Sequence, residues 1–359
     1  MTWLGDQLGR IADEMPQHDL GATVMARYQR RRRNLIAFAA AATVVVTLLA
    51  ATIGARALLA EPPAAVAPSL PPERSSISVG VVPTVESAVL IVAMRMGYFR
   101  EEGLSVQPMF LPGSAQGVPL LEANRLDLIQ LDYATFFRAT ESGKHLKIVT
   151  ASHQSAPGTL ALVVNTTSKV RTVTGLKRKR IAVNQLGGLP SLALTAVLER
   201  AGLKLKDVVP IETSHPEMLG GLKGGRFDAA LLAEPFVTVG REGGQVRVVE
   251  DVMSGDLANL QTSGMTATER WIRRNPRTLA AFQRALGKAA RLVAADPERA
   301  RAALPTYTKI SQKVVANVTL GSYPDKVDLT HLTRIAALAR AQGWLRRLPE
   351  PGEAVAKTE

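Results

Sequence analysis

The sequence predicts an α/β protein with two similar lobes, each built on a mostly parallel sheet, preceded by one transmembrane helix. Strand-like and helix-like patterns alternate along most of the chain, which is typical of parallel sheets with crossover helices. Two stretches echo each other, L-L-E-A-N-R-L-D-L-I-Q-L-D-Y at 120–133 and G-L-K-G-G-R-F-D-A-A-L-L-A-E-P at 221–235. A run without charged residues, from Leu35 to Ala55, is long enough to cross a bilayer.

Composition limits the classes of protein that need to be considered. At 359 residues the chain exceeds what one hydrophobic core usually supports, and 46% hydrophobic residues exclude a disordered chain. The absence of cysteine excludes disulfides, thiolate metal sites, cysteine nucleophiles and a lipid-modified cysteine anchor. The net charge of +13 is compatible with an anionic ligand or surface. Nucleic acid is not an expected partner, because the dense basic run at 177–180 has no aromatic residues interleaved with it.

The apolar run predicts an uncleaved membrane anchor. Arg27 and the four arginines at 30–33 precede it and Arg56 follows it, which predicts a cytoplasmic amino terminus and an extracytoplasmic body. A cleaved signal peptide is the alternative, although its apolar region would usually be shorter, about 7–15 residues. We therefore expect a cytoplasmic stub at 1–33, a transmembrane helix at 34–58 and a proline-rich linker at 59–75.

The rest of the chain is expected to form the two lobes. Residues 76–166 and 265–345 are assigned to the first lobe, residues 167–264 to the second, and residues 346–359 to a flexible tail. Helical patterns dominate beyond Gly264, where Pro276 and Pro297 stand at positions typical of helix starts.

Each of the two echoing stretches ends a buried strand on an acid, Asp132 or Glu234. In open α/β sheets, ligands bind just outside the carboxyl ends of the strands. If the lobes face each other, both acids approach one cleft. The alternative interpretation is that each acid caps the helix that follows its strand.

Several segments in the same order resemble a known family. These are G-Y-F-R-E-E-G-L-S-V at 97–106, the two echoing stretches, W-I-R-R-N-P-R-T-L-A-A-F-Q-R-A-L at 271–286 and L-A-R-A-Q-G-W-L at 338–345. They resemble solute-binding proteins of nitrate, sulfonate, taurine and thiamine-pyrimidine ABC importers. The resemblance covers roughly 76–345 and implies a type II periplasmic-binding fold that closes around one small molecule. It also implies an ABC permease and ATPase as partners, with no catalysis, cofactor or metal.

The resemblance implies a set of ligand-binding positions in the cleft. They follow the strands of both lobes: Thr84, Glu86, Ser87, Gly113, Ser114, Asp132, Tyr133, Gln185, Gly187, Gly188, Ser191, Glu234, Phe236 and Thr262.

The chemistry of these positions leaves the ligand open. The turn N-Q-L-G-G-L-P-S at 184–191 opens a helix, where free backbone N–H groups and the helix dipole favour an anion, unless it is an ordinary turn capped by Ser191. Glu86 and Glu234 instead suit an ammonium or a protonated ring nitrogen. Tyr133 and Phe236 could stack on a flat ring or belong to the core. A zwitterion and a polar heterocycle both fit.

Three functions are weighed on these grounds. The first is capture of a small polar organic solute, such as a sulfonate, a taurine-like molecule or a thiamine precursor, for an ABC importer. The second is a ligand-sensing module that signals through the stub, since relatives are usually secreted or lipid-anchored. The third is an enzyme of cofactor biosynthesis on the same fold, although the five histidines form no H-E-x-x-H and no G-x-S-x-G is present.

Overall fold

The computed structural model describes residues 70–357. The predicted stub, transmembrane helix and most of the linker lie outside this range. Among the described residues, no helix is both long and apolar enough to cross a membrane. Ten strands are present: β1 Ser76–Val81, β2 Ser105–Phe110, β3 Leu128–Asp132, β4 Leu146–Gln154, β5 Leu160–Asn165, β6 Arg180–Val183, β7 Val209–Glu212, β8 Ala229–Ala233, β9 Val246–Asp251 and β10 Gln261–Thr268.

The helices follow the expected alternation. Short 3₁₀ turns at 85–87 and 114–117 precede two of them. The helices are α1 Ala88–Arg95, α2 Tyr98–Glu101, α3 Val118–Glu122, α4 Tyr133–Glu141, α5 Leu189–Arg200, α6 His215–Lys223, α7 Phe236–Glu242, α8 Glu269–Arg274, α9 Pro276–Ala295, α10 Glu298–Ala303, α11 Pro305–Thr308, α12 Gln312–Val315, α13 Leu329–Ala341 and α14 Pro351–Ala354.

Two five-stranded sheets form the two lobes, and their topologies are the same. The strand orders are β2-β1-β3-β10-β4 in the first sheet and β7-β6-β8-β5-β9 in the second. In the first, β1 pairs parallel with β2 and β3, while β10 runs antiparallel to β3 and β4. In the second, β6 pairs parallel with β7 and β8, while β5 runs antiparallel to β8 and β9. The sheets are thus mixed rather than mostly parallel.

The mixed pairing arises because the chain crosses between lobes twice. Strand β5 lies in the second sheet, whereas the expected boundary at 166 put it with the first lobe. Strand β10 lies in the first sheet from Gln261 onward, whereas the expected boundary was 264. Each crossing strand enters its sheet between two strands of that lobe and runs against them. The crossovers therefore lie at 155–159 and 252–260.

The hydrophobic core is continuous between the lobes on one face. One cluster of buried side chains joins Ile129 and Phe136 of the first lobe to Leu162 and Leu192 of the second. A second cluster joins β1 and α1 to the long helix α9. Within it, the rings of Phe99 and Phe282 stack with centroids 5.3 Å apart. The carboxyl-terminal helices are therefore part of the first lobe.

The ends of the described chain are anchored on the first lobe. Glu73 accepts hydrogen bonds from the backbone N–H groups of Arg277 and Thr278, at the start of α9. The predicted flexible tail contains α14, and Val355 forms a parallel bridge with Ile148 of β4. The tail prediction is wrong for these residues, because a backbone bond from the Ala356 N–H to the Ile148 carbonyl, 2.8 Å long, ties them to the sheet.

Candidate functional site

A cavity lies between the two lobes, at the carboxyl ends of β3 and β8. Its volume is about 70 Å³, and a single water needs only about 10–15 Å³ of such space. The cavity is thus large enough for a small organic molecule. Both lobes supply its walls, as expected for a ligand site at strand ends. The predicted positions that line it are Thr84, Glu86, Ser114, Asp132, Gln185 and Thr262.

Asp132 joins the two lobes through its carboxylate. Oδ1 accepts hydrogen bonds of 2.9 Å from the backbone N–H groups of Thr135 and Leu189. Oδ2 accepts from Ser114 Oγ at 2.8 Å, Thr135 Oγ1 at 2.7 Å and Gln185 Nε2 at 3.2 Å. The alternative interpretation, a cap for α4, is therefore correct. Because a carboxylate has about four acceptor positions, Asp132 has none left for a ligand.

Gln185 inserts from the second lobe between two loops of the first. Its Oε1 accepts from the Ala115 N–H at 2.9 Å, and Ser114 Oγ lies 3.2 Å away. Its Nε2 donates to Thr135 Oγ1 at 2.5 Å. We call Ser114, Asp132, Gln185 and Leu189 the interlobe latch, because hydrogen bonds among these four residues connect the two lobes at the cavity.

The predicted glycines make room for the latch. A Cβ on Gly113 would lie 3.2 Å from both the Asn184 carbonyl and Gln185 Oε1. A Cβ on Gly188 would collide with Gln185 Nε2 and would lie 2.8 Å from Thr135 Oγ1. Gly187 has φ +76°, which favours glycine. These residues shape the lobe contact rather than line the cavity.

Two backbone N–H groups of the turn at 184–191 already have partners within the protein. The Leu189 N–H at the start of α5 donates to Asp132, and the Gly187 N–H donates to Ser191 Oγ at 3.3 Å. Asp132 itself is the negative charge at this helix end, where the dipole favours one. Asp132 therefore takes the place that the sequence analysis considered for an anion at the start of α5, which favours the interpretation of an ordinary turn.

Glu234 does not share the cavity with Asp132. Its side chain is buried and accepts from the Thr238 N–H at 3.1 Å, Thr238 Oγ1 at 2.6 Å and the Thr319 N–H at 3.3 Å. Burial raises the pKa of Glu234 despite these bonds. The prediction that both acids face one cleft is wrong, because Glu234 caps α7, and Ala233 lines the cavity in its place.

Three other predicted positions also lie outside the lining. Tyr133 is completely buried in the core and does not line the cavity. The ring of Phe236 stacks on that of His215 with centroids 5.7 Å apart. His215 lines the cavity, and Phe236 does not. Ser87 Oγ lies 2.6 Å from Gln130 Oε1 and holds the loop after β1.

Two histidines that no sequence motif singled out line the cavity. His153 Nε2 lies 2.8 Å from the Leu320 carbonyl, which can only accept, so Nε2 carries a proton. Its Nδ1 lies 3.1 Å from Thr262 Oγ1 and 3.9 Å from Glu86 Oε1. His215 opens α6, and burial lowers its pKa from 6.5 to about 4. The only sequence signal for them was their place, at the end of β4 and just after β7.

His215 predicts a specific loss of stability in acid. Its folded pKa of about 4 lies below its ordinary value of 6.5, so the unfolded chain binds the proton first as the pH falls. Stability is therefore lost between about pH 6.5 and 4, by up to about 3 kcal/mol. The expected result is a smaller acid loss in His215→Asn than in the wild type, measured by urea unfolding from pH 7 to 4.

The comparison of variants isolates this histidine. The raised pKa of Glu234 acts with the opposite sign, but it is common to both proteins. His145→Asn removes an exposed histidine and is the matched control. An equal acid loss in wild type and His215→Asn would contradict the prediction.

The charges around the cavity are negative. Glu86 and Asp132 line it, whereas none of the lining residues in the described chain is Lys or Arg. Among residues 70–357, no group of three or more His, Asp or Glu side chains is arranged to hold a metal ion. The arrangement can bind a small polar molecule and enclose it.

Comparison with known proteins agrees with this architecture. The model of the family described as NMT1/THI5 like matches residues 84–300. No curated protein matches the sequence. The alkanesulfonate-binding protein SsuA from Xanthomonas axonopodis pv. citri, bound to MOPS, is similar with a TM-score of 0.67 and 21% identity, covering 79% of this chain and 99% of that one.

Two further solved structures share the fold. The periplasmic aliphatic sulphonate binding protein SsuA from Escherichia coli has a TM-score of 0.62 and 19% identity, covering 79% of this chain and 98% of its own. The periplasmic nitrate-binding protein NrtA from Synechocystis PCC 6803 has a TM-score of 0.66 and 14% identity, covering 79% and 86%. The chain therefore belongs to the NMT1/THI5-like family and has the two-lobed α/β fold of periplasmic-binding proteins.

Proposed function

We propose that this protein is an extracytoplasmic solute-binding protein that captures a small polar organic molecule between its lobes for an ABC importer. The observation that carries the proposal is the cavity, which both lobes enclose and the interlobe latch closes. The family and the fold support it, since similar structures are named as binding proteins for alkanesulfonates and nitrate. The same comparisons favour binding over catalysis.

Capture requires the lobes to open and close. Two crossovers, at 155–159 and 252–260, connect the sheets and are the natural hinges. A ligand drives closure only as far as it binds the closed form better than the open form. The latch stabilises the closed form. The cavity groups that take no part in the latch then make the ligand bind the closed form more tightly than the open form. An importer made of permease and ATPase subunits would then recognise the closed form through its permease.

The membrane location is part of the proposal. The uncharged run from Leu35 to Ala55 and the arginines before it support a single-pass anchor with a cytoplasmic amino terminus. The lobes would then work at the outer face of that membrane, joined to it by the linker at 59–75.

Gln185→Ala tests the capture mechanism. Loss of the hydrogen bonds that Gln185 makes across the lobes is expected to open the free protein and to weaken ligand binding by about tenfold or more. Small-angle scattering of the full-length protein reports the opening as a larger radius of gyration, and calorimetry with the co-purified ligand reports affinity. Gln283→Ala is the matched control, because Gln283 donates to the Val149 carbonyl within one lobe. Equal scattering and affinity in wild type and Gln185→Ala would refute the mechanism.

A further inference from the structure

Two buried polar atoms at the cavity have no hydrogen-bond partner within residues 70–357. They are Asn184 Oδ1 and His215 Nδ1, and both residues line the cavity. Asn184 is 9% exposed and His215 is 4% exposed. Buried polar groups are nearly always paired, and an unpaired one is destabilising. A ligand that donates a hydrogen bond to Asn184 Oδ1 and forms one with His215 Nδ1 would remove that defect.

The third member of the wall is a carboxylate without a cation. Glu86 Oε2 accepts from Ser263 Oγ at 2.7 Å, but Oε1 accepts no hydrogen bond from the described residues. The nearest basic atom is His153 Nδ1 at 3.9 Å. His153 Nε2 donates to the Leu320 carbonyl and Nδ1 lies 3.1 Å from Thr262 Oγ1, while 3.9 Å is too long for a hydrogen bond between Nδ1 and Glu86 Oε1. The charge of Glu86 is therefore left for the ligand to balance.

An anion has no comparable partner here. Of the helix starts at the cavity, those of α4 and α5 are already paired with Asp132, and that of α6 carries the unpaired His215 Nδ1. A sulfonate or nitrate would lie beside two carboxylates, with no Lys or Arg among the described lining residues to offset them. Bringing like charges together without a compensating cation is unfavourable.

Building on the proposed function, we propose that the ligand is a small organic cation with at least two N–H donors. Its nitrogen pairs with Glu86, and its other N–H groups reach Asn184 Oδ1 and the neutral imidazole of His215. This chain thus differs in ligand class from the sulfonate- and nitrate-binding proteins that share its fold. The cavity volume of about 70 Å³ limits the ligand to a small molecule.

The test uses probes matched in shape and opposite in charge. They are 4-aminopyridinium against benzenesulfonate, and ethylammonium against ethanesulfonate, with nitrate as a further anion. The full-length protein is first unfolded and refolded to release any bound molecule, and binding is measured by calorimetry. The cations are expected to bind, and the anions are not. Glu86→Gln is expected to weaken cation binding by roughly 10- to 100-fold.

Glu199→Gln is the matched control, because Glu199 is exposed on α5 and lies outside the cavity lining. It removes the same charge and should leave cation binding unchanged. An equal loss in both variants would mean that overall charge, not contact with Glu86, attracts the cation, and would refute the assignment of Glu86.

The outcomes separate the ligand class from the proposed function. Binding of the sulfonates or nitrate without the cations would overturn the ligand class and leave solute capture standing. If no probe binds, native mass spectrometry of the freshly purified protein decides. A co-purified cation with N–H donors supports the proposal, and a co-purified molecule without a net positive charge refutes it. If no molecule is found either, both the ligand class and solute capture are refuted.

Discussion

Replacing Asp132 by alanine is expected to destabilise the fold by about 3 kcal/mol, more than a helix cap alone contributes. Loss of the cap on α4 accounts for about 1 kcal/mol. The remainder comes from the Leu189 N–H, Ser114 Oγ and Gln185 Nε2, which lose their shared acceptor at the lobe contact. Buried donors left unpaired cost about 1–3 kcal/mol each, and partial opening to water limits the sum.

Urea unfolding followed by circular dichroism measures this loss. Asp328→Ala is the matched control, because Asp328 caps α13 through the Thr330 N–H and takes no part in the latch. That variant is expected to lose about 1 kcal/mol. Equal losses in the two variants would show that Asp132 acts only as a cap and that the latch adds no stability.

Gly264→Ala is expected to cost about 2–3 kcal/mol. Gly264 lies in the middle of β10, between β3 and β4. A Cβ there would lie 2.8 Å from the carbonyl oxygen of Thr150 and 2.9 Å from atoms of Ile148 and Tyr133. Because Thr150 belongs to the neighbouring strand, its backbone moves only if the sheet distorts. The substitution is therefore expected to disturb β10, the strand with which the chain returns to the first lobe.

Gly220→Ala supplies the comparison for this variant. Gly220 lies in α6, and a Cβ there would meet nothing within 4 Å. Alanine should instead stabilise the helix, by about 0.5–1 kcal/mol. Thermal unfolding of both variants measures whether stability falls in Gly264→Ala and rises in Gly220→Ala, as expected. A Gly264→Ala protein as stable as the wild type would contradict the packing at the centre of the first sheet.

The sequence was sufficient for the two-lobed α/β fold because periodicity and turn residues mark each element locally. Pairing partners are not local. Strand β5 is apolar on both faces, so its sequence reads the same in either sheet, and its place was predicted wrongly. The carboxyl-terminal residues 351–357 look like a tail because their bond to Ile148 depends on a strand two hundred residues earlier.

The sequence was sufficient to predict where the cavity lies, but not which of its residues are free to bind a ligand. Strand ends located the cavity, and Thr84, Glu86 and Thr262 do line it. Whether an acid is free for a ligand depends on distant donors, and the sequence could not show that Gln185 and Leu189 reach Asp132. The histidines escaped notice because each contributes alone, without the spacing of a motif.

The attachment of Val355 to Ile148 has a consequence beyond local order. Strand β4 is the outer strand of the first sheet, and such strands present unpaired backbone groups that attract strands of other molecules. Bridges at Ile148 and at Gln154, the latter to Ser322, occupy both ends of that strand. Residues 351–357 thereby cover part of this edge, and a variant without them is expected to expose a template for strand pairing between molecules.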